Sequence, residues 1–231
     1  ADIYLLHETH CPSREMSTQW AQQWGGYAST LHDQLLSRAW FTSSSSHHTT
    51  GGTAILFSAD FRKRVEVVED TTTGLGIWTS LIYRLDHRLI RQDSVYLAPA
   101  LPRARAITAY FEHTPQTDYS HWFVGGDWNC VADTALDSSS SRYTNEGGAL
   151  LSTHTDAALL MDVWRHHHHQ EQEYTHFASP HAGATEGGTN TRIDRIYCSI
   201  GDADVIRTSS HITSCGFTDH YGVQLTVDFN P

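Results

Sequence analysis

Several polar residues of this 231-residue sequence lie directly after, or within, short apolar runs. They are Glu8 after "DIYLLH", Asp127 and Asn129 in "WFVGGDWN", Asp194 in "TRIDRIY", and Asp219 with His220 in "FTDHYGVQL". Strand ends at one edge of a sheet are rigid and their side chains converge, so these positions favour a functional site. Converging carboxylates repel one another unless a cation is present. Hard oxygen ligands predict Mg²⁺ or Mn²⁺ rather than Zn²⁺.

The segments around these residues alternate between strand-like and helix-like patterns. Strand-like runs occupy 2–8, 51–58, 65–70, 79–85, 93–99 and 121–127, followed by "EYTHF", "RIDRIYCS", "DADVIRTS" and "YGVQLTVDF". Helical patterns occupy 14–24, 102–113 and 147–165. Many short strands with a few helices between them predict sheets covered by helices, an α/β sandwich.

The charge of the chain is acidic. Fifteen Lys and Arg residues against 26 Asp and Glu residues give a formal net charge of −11, which repels a polyanion and counts against nucleic acid as a partner. Carboxylates around a divalent cation account for part of the excess. Five arginines remain available for a local basic face: Arg103, Arg105, Arg192, Arg195 and Arg207.

The cysteines and the apolar runs suggest a soluble intracellular protein. The four cysteines form no Cys-x-x-Cys pair and fit reduced thiols, and no apolar run has the length of a membrane span. The Ser-rich stretches 42–50 and 137–148 are predicted to be solvated loops. The same prediction holds for "RHHHHQEQE" (165–173), because four adjacent histidines cannot all face one ion. Length alone does not choose between one large domain and two small ones, and one domain is the starting expectation.

Seven motifs in order carry a family resemblance. They are "LLHETH", "GGTAILF", "VYLAP", "VGGDWN", "YTHF", "RIDRIY" and "TDHYGV". Their succession resembles the endonuclease/exonuclease/phosphatase superfamily, which includes deoxyribonuclease I and abasic-site endonucleases, over nearly the whole chain. "GGDWNCV", "DVWR" followed by "YTHF", and "RIDRIYCS" are most similar to the endonuclease domain of non-LTR (LINE-type) retrotransposons, which nicks chromosomal DNA to prime reverse transcription.

The resemblance implies a single domain over residues 1–231 with a DNase I-like four-layer α/β sandwich, in which helices flank two packed mixed β-sheets. It implies a Mg²⁺-dependent endonuclease, with Mn²⁺ as a possible substitute. The implied partners are double-stranded DNA and the reverse transcriptase domain of the same polyprotein, in the nucleus and without a membrane.

The resemblance also assigns roles to the polar residues. Glu8 and Asp219 are implied metal ligands, and Tyr96 is implied to contact the phosphate or to organise the site. Arg192, Arg195 and Thr218 are the predicted contacts to nucleic acid.

The remaining four residues are implied to carry the chemistry. Asp127 would position or deprotonate the attacking water, and Asn129 would hold the phosphate or a metal-bound water. His220 would offset the growing charge of the scissile phosphate, with its tautomer fixed by Asp194. We expect Asp127 and Asn129 to face the same way because side chains alternate along a strand. In-line attack on a phosphodiester needs such an oriented water, a cation and a hydrogen-bonded histidine.

Three departures from the family pattern leave alternatives open. The family begins one strand earlier, with a strand that ends in Asn, so we expect the domain to lack that strand. Tyr96 lies three residues before Pro99 instead of two, with Ala100 where the family has an amide, and Thr218 replaces Ser. The alternatives are a superfamily hydrolase of phosphoinositide, sphingomyelin or a nucleotide, and an inactive DNA-binding module. Asp127 and Asn129 could also serve only as turn formers.

Overall fold

The chain forms two compact units. The structure, a computed structural model, describes residues 1–25, 37–43, 51–72, 77–99, 101–113, 115–141, 143, 147–178, 188–212 and 218–229. Unit 1 comprises Ala1–Leu101 with Glu112–Gly126, and unit 2 comprises Pro102–Phe111 with Asp127–Pro231.

Unit 1 contains two β-sheets, of which the first is antiparallel. Its strands are β1 (Ile3–His7), β2 (Ala39–Phe41), β3 (Thr53–Phe57), β4 (Val65–Thr72), β5 (Trp78–Leu85), β6 (Arg88–Tyr96) and β7 (His121–Asp127), and its helices are α1 (Arg14–Gly25) and α2 (Ala59–Arg62). The first sheet has the order β1-β3-β2, and β4, β5, β6 and β7 follow one another in the second. All five residues of β3 are buried because this strand packs against β5 and β6 of the other sheet. The ring of Phe57 lies 5.1 Å from that of Phe61 and 5.4 Å from that of Tyr83.

Unit 2 combines short helices with two strand pairs. Its elements are α3 (Arg103–Phe111), α4 (Gly148–Ala157), β8 (Leu160–Asp162), α5 (Val163–His167), β9 (Asp194–Ser199), a 3₁₀ helix (Ile200–Val205), β10 (Ile206–Ile212) and β11 (Gly222–Val227). Strands β8 and β9 are antiparallel, as are β10 and β11, and β11 packs beside β9. Trp128 is fully buried, 5.9 Å from the ring of Tyr110 and 5.5 Å from that of Tyr197, so it belongs to the core.

The prediction of one helix over 147–165 is wrong. Helix α4 ends at Ala157, and Leu159 has a left-handed backbone (φ 53°). The chain then forms β8 and starts α5 at Val163. The N-cap of α5 is Asp162, whose Oδ1 accepts a hydrogen bond of 3.1 Å from the amide of Arg165. Apolar residues with helical spacing continue through this break, so the periodicity of the sequence does not reveal it.

Two other local predictions also need correction. "EYTHF" is not a strand, because the structure has only isolated bridges from His176 to Thr191 and to His220. The Ser-rich stretch 137–148 is not solvated at its start, since the side chain of Asp137 is 1% exposed. In the other Ser-rich stretch, residues 44–50 lie outside the described residues.

The remaining pattern agrees with the predicted mixed α/β class. The strands predicted at 65–70, 79–85 and 121–127 and the helices at 14–24 and 102–113 are present within a few residues. The histidine run is part helix, since His166 and His167 end α5. Among the described residues, no helix has both the length and the apolar character that a membrane crossing requires.

Candidate active site

A hydrogen-bonded histidine and carboxylate lie at the centre of the site in unit 2. His220 Nδ1 lies 2.9 Å from Asp194 Oδ2. Asp194 is the first residue of β9, and its amide donates to Thr175 Oγ1 at 3.0 Å. The amide of Tyr221 donates to the carbonyl of Thr175 at 2.6 Å. Thr175 therefore holds the backbone of Asp194 through its hydroxyl and the backbone of Tyr221, the residue after His220, through its carbonyl.

The electrostatic surroundings favour a charged His220. Burial alone would lower the pKa of His220, but the hydrogen bond and charge of Asp194, helped by Asp127 and Asp219, raise it to about 9. The imidazole is therefore protonated at neutral pH. A protonated imidazole whose Nδ1–H is held by a carboxylate presents its Nε2–H to an anion. This arrangement suits the stabilisation of a phosphate oxygen.

Asp127 and Asn129 form a tight turn at the end of β7. Asp127 Oδ1 accepts from the Asn129 amide and Asp127 Oδ2 accepts from Asn129 Nδ2, both at 2.9 Å. The prediction that strand alternation places the two side chains on one side is wrong, because Asn129 lies beyond β7 with a left-handed φ of 47°. Their proximity comes from the Asp127 carboxylate, which Asn129 holds through two hydrogen bonds.

The approach to this turn requires glycine. A Cβ added to Gly126 would lie 2.4 Å from the carbonyl oxygen of Val95 in the neighbouring strand β6, a distance that real side chains do not adopt. Gly126 is thus needed for close strand packing just before Asp127.

The predicted catalytic residues of unit 2 converge. Asp127, Asp194 and His220 each offer one ligand atom, and these atoms all lie within 4.8 Å of one another. The Asp127 residue is 5% exposed, and the side chains of Asp194 and His220 are 14% and 30% exposed. Two carboxylates and an imidazole at this spacing fit a divalent cation or an attacking water with a phosphate beside it.

Glu8, a predicted metal ligand, and Tyr96 are in contact in unit 1. Glu8 follows β1 with a left-handed φ of 52°, and Tyr96 is the last residue of β6. The buried Tyr96 hydroxyl donates a hydrogen bond to Glu8 Oε1. The structure therefore brings these two residues together, and Tyr96 orients the carboxylate.

Asp219 and Thr218 lie next to His220 in unit 2. Thr218 Oγ1 accepts a hydrogen bond of 3.1 Å from the His220 amide. Asp219 Oδ2 is 3.5 Å from Nε2 of His176, a residue to which the sequence analysis gave no role. His176 and Thr175 both belong to "YTHF", which was noted only as a motif. Thr175 and His176 are the polar residues of that motif by which the sequence could have indicated a role in the site.

Arg192 and Arg195 do not form the predicted nucleic-acid contact. Their side chains are 1% and 0% exposed, so the prediction of a DNA-contacting surface at these residues is wrong. Arg192 donates to Asp137 Oδ1 and to Asp162 Oδ2, both at 2.8 Å. Arg195 donates to the carbonyl of Cys130 at 2.9 Å. We call Asp137, Asp162, Arg165, Arg192 and Arg195 the buried arginine network.

The network determines the charge of its central carboxylate. Burial opposes ionisation of Asp137, but the charges of Arg195 and Arg192 and hydrogen bonds from Arg192 and Arg165 lower its pKa to about 2. The pKa of Arg192 is raised: burial works against its charge, and Asp162 and Asp137 outweigh that effect. Each charge of the network is compensated inside the protein, as buried charges require.

Comparisons with known proteins identify the family. The solved structures similar to this chain include the endonuclease domain of TRAS1, a telomere-specific non-LTR retrotransposon (16% identity, 84% of this chain and 81% of that chain, TM-score 0.59). They also include the AP endonuclease LMAP from Leishmania major (13% identity, 97% and 77%, TM-score 0.68) and the APE2 catalytic domain from Xenopus laevis (16% identity, 98% and 83%, TM-score 0.69). At these identities the likeness shows the fold alone, which confirms the predicted DNase I-like class. No curated protein matches the sequence significantly. Residues 1–220 match the Endonuclease/Exonuclease/phosphatase family, to which this chain therefore belongs, as its motifs predict.

Proposed function

We propose that the protein is a Mg²⁺-dependent DNA endonuclease that nicks target DNA to prime reverse transcription of a non-LTR retrotransposon. The observation that carries the proposal is the convergence of Asp127, Asp194 and a protonated His220 in unit 2. Hydrolysis of a phosphodiester needs an oriented water and positive charge on the phosphate oxygens, and these residues offer both.

In the proposed mechanism each residue acts through its observed contacts. Asp127, held by Asn129, orients the attacking water and accepts its proton. His220 donates from Nε2 to a phosphate oxygen, while Asp194 keeps its Nδ1 protonated. A positioned acid or base contributes about 10²–10⁴-fold to a rate.

The metal remains part of the proposal. The family resemblance implies Glu8 and Asp219 as metal ligands, and the carboxylates of unit 2 fit a hard cation. When bound, Mg²⁺ supplies positive charge that offsets the charge developing on the phosphate.

The retrotransposon role is supported by the motifs "GGDWNCV", "DVWR", "YTHF" and "RIDRIYCS". The TRAS1 endonuclease shares the fold with a TM-score of 0.59, and the AP endonucleases share it with 0.68 and 0.69, so the fold is common to both groups. We propose one domain spanning 1–231, attached to a reverse transcriptase in a nuclear polyprotein. Double-stranded DNA is the proposed substrate, and Thr218 remains a proposed contact to it.

A second candidate is a hydrolase of the same family that acts on a small phosphorylated substrate. The formal net charge of −11 favours it, and the burial of Arg192 and Arg195 removes two cations from the surface that DNA would contact.

Supercoiled plasmid DNA separates the candidates. With Mg²⁺, the endonuclease converts the plasmid to the nicked form, and the nick leaves a 3′-hydroxyl that a polymerase extends. EDTA abolishes the reaction. Release of inorganic phosphate from a nucleotide or a phosphoinositide without nicking would support the second candidate. Binding of DNA without cleavage would indicate an inactive DNA-binding module.

A further inference from the structure

The proposed chemistry gives no role to His176, although it lies within the same group of side chains. One ligand atom each of His176, Asp219 and His220 lies within 4.8 Å of the others. His176 Nε2 is 3.5 Å from Asp219 Oδ2, and the two imidazole rings are 4.9 Å apart. Two imidazole nitrogens and one carboxylate oxygen therefore share one small volume.

Backbone hydrogen bonds hold the three residues in register. The amide of His176 donates to the carbonyl of Thr191 at 2.8 Å, and the amide of Phe177 donates to the carbonyl of Asp219 at 2.9 Å. The backbone of these residues is therefore ordered before an ion binds, which reduces the conformational entropy lost on binding.

The donor atoms, two imidazole nitrogens and one carboxylate oxygen, determine which metal ion the group prefers. Hard cations such as Mg²⁺ prefer oxygen ligands, whereas imidazole suits Zn²⁺ and its transition-metal neighbours. In His220, Nδ1 is hydrogen-bonded to Asp194 at 2.9 Å, so Zn²⁺ would bind Nε2 and displace the proton from that nitrogen. A carboxylate on the far nitrogen of a ligand histidine orients the ring and strengthens it as a ligand.

The side chains have room to close on an ion. Neighbouring donors around a tetrahedral Zn²⁺ lie about 3.4 Å apart, so the group must contract by roughly 1 Å. The side chains of His176 and Asp219 are 28% and 52% exposed, which permits this adjustment and leaves the fourth position open to water.

We propose that His176, Asp219 and His220 form a Zn²⁺-binding site that overlaps the proposed Mg²⁺ site at Asp219. Because it shares Asp219 and His220 with the proposed machinery, Zn²⁺ bound there inhibits nicking. The binding claim stands on the geometry of unit 2, and the inhibition rests on the proposed function.

The binding test measures Zn²⁺ affinity by competition with a colorimetric chelator, with Co²⁺ as a spectroscopic probe of coordination. The exposed run His166, His167 and His169 would bind zinc independently, so all three are first changed to Gln to give a reference protein. In that background His176→Gln weakens Zn²⁺ binding at least about tenfold, as does Asp219→Asn. The matched control is His87→Gln, in the exposed turn between β5 and β6, which leaves the affinity unchanged.

Circular dichroism without metal checks that each variant is folded. If His176→Gln is misfolded, the Zn²⁺ affinity of Asp219→Asn decides whether the site exists. Unchanged Zn²⁺ affinity in a folded variant of either residue overturns the site.

The nicking test measures the Zn²⁺ concentration that halves Mg²⁺-supported plasmid nicking. It rises about tenfold in His176→Gln and stays the same in His87→Gln. Equal inhibition of both variants contradicts inhibition through this site. If the reference protein nicks no DNA, the proposed function fails and the binding measurement alone decides whether the site exists.

Discussion

Two groups of charged residues in unit 2 arise from the same seven-residue run, "TRIDRIY", and they have opposite properties. Arg192 and Arg195 point into the buried arginine network, with side chains 1% and 0% exposed. Asp194, between them, holds His220, whose side chain is 30% exposed. In the first group every charge is compensated internally, whereas in the second one face of the imidazole remains accessible to a ligand.

Neighbouring residues of this motif have different roles. At the start of β9, Asp194 faces the site and Arg195 the interior, because neighbouring residues of a strand point to opposite sides. Loss of a network residue should therefore lower stability, and loss of a site residue should lower activity. Substitutions in the two groups test this separation of stability from activity.

Removal of Asp127 should have the largest effect. Asp127→Asn keeps the shape of the side chain but removes the charge that orients the water, so plasmid nicking with Mg²⁺ should slow by about 10²–10⁴-fold. Asp156→Asn, an exposed acid on α4, is the matched control and should nick at the parent rate. Similar nicking rates for the two variants would rule out the role given to Asp127.

Removal of Arg192 should affect stability instead. Arg192→Gln leaves the buried Asp137 and the largely buried Asp162 without the cation that bridges them, and breaking a buried pair costs about 3–5 kcal/mol. Urea denaturation should show this loss of unfolding free energy. The exposed Arg84→Gln, which breaks a surface pair with Glu66, should cost at most about 1 kcal/mol. Equal midpoints for the two variants would remove the structural role of the network.

Removal of Asp194 should lower activity with little loss of stability. Asp194→Asn takes away the carboxylate charge that keeps His220 protonated and oriented, and loss of such an orienting partner costs about 10–100-fold. We expect the loss in the nicking rate at saturating DNA with an unchanged KM, because Asp194 acts through His220. A large shift of the urea midpoint with normal nicking would instead place Asp194 with the network.

The network should also make stability depend on pH. The folded pKa of Asp137 is about 2, below its ordinary value of 3.8, so its contribution is present above that value and is lost as the pH falls towards 2. The contribution is on the order of 2 kcal/mol. The difference in unfolding free energy between the parent and Asp137→Asn should therefore shrink between about pH 5 and pH 3. A difference that does not change with pH would contradict the assigned pKa shift.

The sequence predicted the strands, the fold class and the members of the site better than their local geometry. Asp127, Asp194 and His220 were identified because they end or interrupt apolar runs in an ordered set of motifs. The turn at Asn129 was missed because a left-handed residue after a strand leaves no periodic trace.

No pattern in the sequence distinguishes a buried arginine from a surface arginine. Arg192 and Arg195 resemble surface cations in a sequence, and their burial depends on Asp137, more than 50 positions away in a Ser-rich stretch. His176 was missed for a similar reason, since its partners Asp219 and His220 are close only in the folded chain.

The most direct test of the central claim is a double-mutant comparison of plasmid nicking with Mg²⁺. Asp127→Asn, His220→Gln and the double variant are measured against the parent. Residues that act as one unit give losses far from additive in free energy, so the double variant should be about as slow as the slower single variant. Multiplied losses, or nicking that neither substitution slows, would contradict the claim that these residues form one hydrolytic site.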